Sequence, residues 1–182
     1  MELSEYTLEA LRKDGEFILY RGQHQRPADG SPPSILVVIP VLERAALGSL
    51  RRMEHEYSLR AELDPRWAVS PFALAPHMGR TMLVLTDPGG EPLDRLLGRP
   101  MELTQFLRLA VGLSAALGQL HGRSLIHKDI KPANVLVNCA TGEVWLGASA
   151  SPRAFRASAS RRNLPSSSRE RSPTWPPSKL EE

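Results

Sequence analysis

Residues Leu125 to Val137 read Leu-Ile-His-Lys-Asp-Ile-Lys-Pro-Ala-Asn-Val-Leu-Val, and no other stretch of the chain restricts its fold so strongly. Two apolar ends bracket a polar centre in which His127, Asp129, Lys131 and Asn134 recur at short, fixed intervals. Pro132 has no backbone donor and biases the residue before it toward extended backbone, so this centre is a loop. The aliphatic run Val135-Leu136-Val137 then predicts a short buried strand. A carboxylate, an ammonium and a carboxamide so close together can orient a hydroxyl, neutralise a phosphate and ligate a divalent cation. The plainer alternative is an ordinary charged loop between a helix and a strand, with Asp129 and Lys131 forming a surface ion pair.

A chain of 182 residues can bury one real core. Its formal charge of +3 is unevenly spread. From Gly147 onward there are seven Lys or Arg against three Glu, which gives the tail +4 and leaves the remainder at −1. A basic globular surface, and with it a nucleic-acid partner, is therefore not expected. The lone cysteine, Cys139, rules out an internal disulfide framework and suits a reducing compartment. Neither a signal pattern nor an apolar run of spanning length is present, so a cytoplasmic protein without membrane partners is expected.

Apolar periodicity predicts the element order. Tyr6 to Leu11 and Phe17 to Tyr20 form strands around a turn at Lys13-Asp14-Gly15, and Ser34 to Ile39 forms a third, buried strand after a Pro- and Gly-rich loop at 25–33. Leu50 to Leu63 has the spacing of an amphipathic helix, and Trp67 to Leu74 and Thr81 to Leu85 read as two further strands. Asp87-Pro88-Gly89-Gly90 is a breaker cluster suited to a hinge. A helix capped by Thr104 follows, running to about Gly122 with apolar positions from Phe106 to Leu120. Val135 to Val137 and Glu143 to Leu146 would form a short strand pair.

The loop at 125–137, with this element order, resembles the catalytic loop and flanking elements of eukaryotic-like serine/threonine protein kinases. The resemblance covers Tyr6 to Leu146. It implies an α+β, two-lobe protein-kinase-like fold with a β-rich small lobe at 1–85 and a hinge and partial helical large lobe at 86–146, while the Ser-, Arg- and Pro-rich composition of 147–182 predicts a disordered tail. It also implies ATP-dependent phosphoryl transfer to protein hydroxyls in signal transduction. Asp129 would orient the substrate hydroxyl, Lys131 would lie near the transferring phosphate, and Asn134 would ligate Mg2+. His127 would pack the loop, and Lys128 stands where Arg is usual. Gly15, Thr86, Asp87 and Pro88 would contact ATP. His24-Gln25, the run 59–65 and the run 87–93 further resemble a bacterial group whose kinase-like domain precedes an AAA-type ATPase, a GAF sensor and a histidine kinase, which implies coupling to a histidine kinase module. The protein substrate is not legible.

Three departures from the pattern point toward a truncated, inactive form. Gly15 is the only glycine available where a phosphate-covering loop uses several. The third strand ends in Pro40 where a phosphate-contacting Lys is expected, which leaves Glu56 on the following helix without its usual counterion; Lys13 or Arg21 could reach the phosphates instead. After Leu146 the magnesium-binding Asp-Phe-Gly and the Ala-Pro-Glu landmark are missing. Reading GC-rich codons for 147–156 and 172–180 from their last bases permits Phe-Gly-Ile-Ala-Ser-Arg and then Met-Ala-Pro-Glu, as a shifted reading frame would. In that frame the codon overlapping Ala148 cannot encode Asp. Two other readings are a catalytically silent kinase fold that binds or regulates, and a nucleic-acid binder acting through the basic tail.

Overall fold

The computed structural model describes residues 3–26, 31–42, 46–77, 79–147 and 155–156. Part of the expected loop at 25–33 and nearly all of the tail lie outside these residues, and with them the expected tail disorder and the shifted-frame segment. The fold is mixed α/β, with a five-stranded sheet in the order β1-β2-β3-β5-β4 and two α-helices. All its pairings are antiparallel. Its strands are β1 (Tyr6–Asp14), β2 (Phe17–His24), β3 (Ser34–Pro40), β4 (Pro71–His77) and β5 (Arg80–Thr86), with helix α1 (Leu47–Ser58) between β3 and β4.

The central strands β3 and β5 are buried on both faces, as their unbroken aliphatic runs require. Leu36, Val38, Leu83 and Leu85 point to one side, where they meet Phe17 and Met53 of α1. Ile35, Val37, Met82 and Val84 point to the other, where Leu3 and Tyr6 cover them. The period-2 alternation of a strand thus feeds two separate apolar clusters. β1 and β2 close through a tight turn in which Asp14 faces Phe17 and Gly15 takes φ 51°, a conformation glycine adopts at little cost. The strand therefore continues past the expected end at Leu11 and into the expected turn, through Asp14.

Other boundaries differ for physical reasons. The apolar run Trp67-Ala68-Val69, expected to open a sheet strand, pairs elsewhere: Ala68 bridges Leu146, Val69 donates to the Leu146 carbonyl, and the Leu146 amide donates to the Trp67 carbonyl. α1 starts at Leu47 and gives way to a 3-10 turn at Leu59–Ala61, ahead of the expected end. Helix α2 (Leu103–Gly122) is capped by Glu102, whose carboxylate accepts from the amides of Thr104 and Gln105 at 2.9 Å. Thr104 is thus inside the helix, and an acid at its N-terminus also favours the helix dipole.

The remaining strands are short: β6 (Glu91–Pro92), β7 (Leu125–Ile126), β8 (Val135–Val137), β9 (Val144–Leu146) and β10 (Phe155–Arg156). β6, β8 and β9 form one small sheet, and β7 pairs with β10. Leu136 and Trp145 join the cluster that holds Phe17, Leu36 and Leu85, so the core runs continuously from the large sheet to the segment around residue 136. α2 buries Leu109, Ala116 and Leu120 but leaves Leu103, Phe106, Leu107 and Val111 more than half exposed. No helix among the described residues is long and apolar enough to cross a membrane.

Candidate functional site

Both ends of the 125–137 segment are fixed by burial: Leu125 is wholly enclosed, and Val135, Leu136 and Val137 fill the core. Between them Lys128 takes φ 59°, a left-handed conformation that costs a non-glycine residue about 1–3 kcal/mol and persists only where its surroundings enforce it. A 3-10 turn at Pro132–Asn134 then directs the Asn134 side chain inward, where the residue is 2 % exposed.

The turn brings three of the expected residues together. Asn134 Nδ2 donates to the Asp129 carbonyl at 2.8 Å and to Asp129 Oδ2 at 2.9 Å. Lys131 Nζ lies 3.6 Å from the same carboxylate oxygen. His127 Nε2 lies 3.1 Å from the Gly147 carbonyl. Since a carbonyl only accepts, that nitrogen carries the ring proton, and Nδ1 is buried without a partner among the described residues. Burial pulls the His127 pKa below its ordinary value, against the opposing pull of Gly147 and Asp129, and so favours the neutral ring. His127 accordingly ties the loop to the end of β9.

Two residues that the sequence does not single out complete the constellation. Arg12 of β1 donates through Nη1 to the Ala133 carbonyl and, at 2.6 Å, to Asn134 Oδ1. Guanidinium only donates and carboxylate only accepts, so Arg12 and Asp129 together fix which end of the Asn134 amide is oxygen. Asp14, at the end of the same strand, accepts from Lys131 Nζ at 2.7 Å. The Leu11 carbonyl between the sheet and this site accepts from Arg95 at 3.0 Å. Burial lowers the Arg12 pKa, while Asp14, Asp94 and Asp129 raise it, so the guanidinium sits in a partly desolvated acidic surround. The available signal is the pair of charged residues standing just ahead of Gly15, where glycines were expected.

The other expected residues are placed differently. Gly15 is exposed at the hairpin tip. Thr86 exchanges hydrogen bonds with Ser70: its amide donates to the Ser70 carbonyl, and its hydroxyl accepts from the Ser70 amide. The Asp87 side chain is 1 % exposed and held by Arg21, with Nε to Oδ2 at 2.8 Å and Nη2 to Oδ1 at 3.2 Å. Arg21 Nη2 also donates to the Gly90 carbonyl at 2.8 Å, so Arg21 pins the turn at 87–90 and is not directed at Asn134. Thr86 and Asp87 border an open groove with Pro32, Ser34 and Phe72. The small cavity beside Asn134, about 10 Å³, is lined instead by Arg12, Leu19, Leu36, Val69, Leu85 and Leu136, among others. Glu56, half-buried as a residue, has its carboxyl inside; burial alone raises its pKa to about 8, and no cation of the described residues offsets this. Among the described residues no cluster of three or more His, Cys, Asp or Glu could hold a metal ion.

Comparison with known proteins gives two partial matches. The chain is 33% identical over 88 residues to the peroxide stress-activated histidine kinase mak2 of Schizosaccharomyces pombe, covering 44% of this chain and 4% of that protein. It is 37% identical over 76 residues to the serine/threonine-protein kinase AfsK of Streptomyces griseus, covering 42% of this chain and 8% of that protein. The chain therefore spans less than a tenth of either relative. No family model matches. These matches support a kinase-like relationship, and a mixed α/β fold with a β-rich sheet and two helices is compatible with a fragment like the small lobe of such a kinase.

Proposed function

We propose that this chain is a serine/threonine-kinase-like signalling domain, two-lobed in plan, in which phosphoryl transfer is silent and the fold serves as a binding or regulatory module coupled to a histidine kinase. The observation that carries the reading is the assembled but self-satisfied site. Asp129, Lys131 and Asn134 lie together, yet Asn134 Oδ1 is engaged by Arg12 and Lys131 by Asp14. Pro40 at the end of β3 adds no cation. Catalysis of phosphoryl transfer rests almost wholly on positioned charges and metal, so their diversion removes most of the rate enhancement.

Were the site competent, Asp129 would hold the substrate hydroxyl and Asn134 the magnesium, with ATP supplying the phosphoryl group. The residues as placed do not fit that group, and no catalytic step is assigned to them. The test is transfer of labelled γ-phosphate from ATP, with Mg2+, to casein and to the chain itself. Incorporation should equal that of the Asp129→Asn variant. Transfer clearly above that variant would overturn the silent reading.

A further inference from the structure

We infer that Arg12 is the resident cation of this site, held where a metal-bound nucleotide would have to sit, so that the β1–β2 hairpin plugs the cleft and the intact chain does not take up Mg·ATP. The inference rests on the kinase-like reading and concerns binding, where the proposal above concerns catalysis. One guanidinium nitrogen takes both the Asn134 oxygen and the Ala133 carbonyl. The guanidinium takes one of the two lone pairs of that oxygen, and a divalent ion drawn to the other would lie beside this fixed positive charge and be repelled by it. Asp14 likewise holds Lys131, the one loop ammonium that the resemblance places near a phosphate.

Space gives an independent argument. The cavity behind Arg12 holds about 10 Å³, enough for a single water, whereas sites that enclose a small ligand run to about 300–1,000 Å³. Leu19, Leu36, Val69, Leu85 and Leu136 line it and belong to one packed apolar cluster. Admitting a purine into this cavity requires the hairpin to lift from the loop. That movement breaks the Arg12 and Asp14 contacts together with the Arg95 bond to the Leu11 carbonyl. A binding-competent state populated at ~1% weakens apparent affinity ~100-fold. Charged residues just ahead of Gly15 thus act as a built-in lock, and glycine or alanine in their place would release it.

The experiment titrates the full chain with a fluorescent trinitrophenyl-ATP, with Mg2+ and with EDTA, for wild type, Asp14→Asn and the double variant Arg12→Ala/Asp14→Ala. Wild type should show no saturable binding at millimolar nucleotide. The double variant should gain Mg2+-dependent binding at least ~10-fold tighter, displaced by ADP, with Asp14→Asn between the two. Saturable micromolar binding by wild type overturns the inference whether or not the variants fold. So does a folded double variant that binds no better than wild type. Wild type that binds without transferring phosphate sinks this inference alone; wild type that binds and transfers phosphate sinks both readings.

Discussion

Arg21→Met is expected to lower the stability of the chain by about 3–5 kcal/mol, because it strands a buried carboxylate. The Asp87 side chain is 1 % exposed, and with Arg21 gone the hydrogen bond left to it among the described residues is the one from the Gly89 amide at 3.0 Å. The Gly90 carbonyl loses its guanidinium donor in the same step. Gly90 itself is tightly placed, with φ 73° and a Cβ position 2.6 Å from the Val137 carbonyl oxygen, so the turn cannot easily shift to find new partners. Domains are held by about 5–15 kcal/mol, so the loss is a large fraction of the whole. Urea denaturation checks it through a lower midpoint at unchanged slope. Asp87→Asn should cost less, since an amide oxygen still accepts from Arg21 and the ion left without a counterion, Arg21, is 17 % exposed where the Asp87 side chain is 1 % exposed. An Arg21→Met midpoint equal to wild type would mean that the turn is held by its backbone alone.

The same contact shows what sequence patterns carry and what they omit. β3 and β5 are legible because a strand buried on both faces needs an unbroken aliphatic run, and Ile35 to Val38 and Met82 to Leu85 supply one each. Trp67 to Val69 carry the same local signal but pair with Leu146, since periodicity records burial and not the partner that provides it. Glu102 is hidden as a cap because Thr104 has the stronger capping preference, although a carboxylate two residues earlier reaches two free amides at once.

In the site, Asp129 and Asn134 are legible because they stand five positions apart and a single turn closes the distance. Arg12 and Asp14 are not, because their partners lie 122 and 117 residues away and no local pattern encodes such a pairing. Arg21 reads in the sequence as a spare cation near the phosphates; its side chain is committed to Asp87 because both are enclosed and each needs a counterion. Residue identity therefore indicates a kinase-like loop, while long-range hydrogen bonds from Arg12 and the Lys131–Asp14 ion pair tie that loop to β1.

The buried carboxyl of Glu56 has a consequence measurable without any ligand. It ordinarily titrates near 4.5 and is raised to about 8 in the fold, with burial as the cause. Below about pH 4.5 the group is protonated folded or unfolded and penalises neither state. Between about 4.5 and 8 the fold retains a proton that the unfolded chain releases, so stability falls as pH rises across this window and levels above it. The ceiling of the effect is ~5 kcal/mol, since each pH unit across that window contributes about 1.4 kcal/mol. His127 acts in the opposite sense: burial lowers its pKa, so its contribution is complete above about 6.5 and is lost on acidification. Glu56→Gln removes the ionisable acid and keeps the shape, and it should raise the urea midpoint at about pH 8.5 by the equivalent of a few kcal/mol while changing it little at about pH 5. The wild-type midpoint should decline from about pH 6 to about 8.5, whereas that of the variant should hold or rise slightly as His127 loses its proton. Parallel pH profiles for the two proteins would mean that Glu56 is ionised in the fold and that a cation compensates it there.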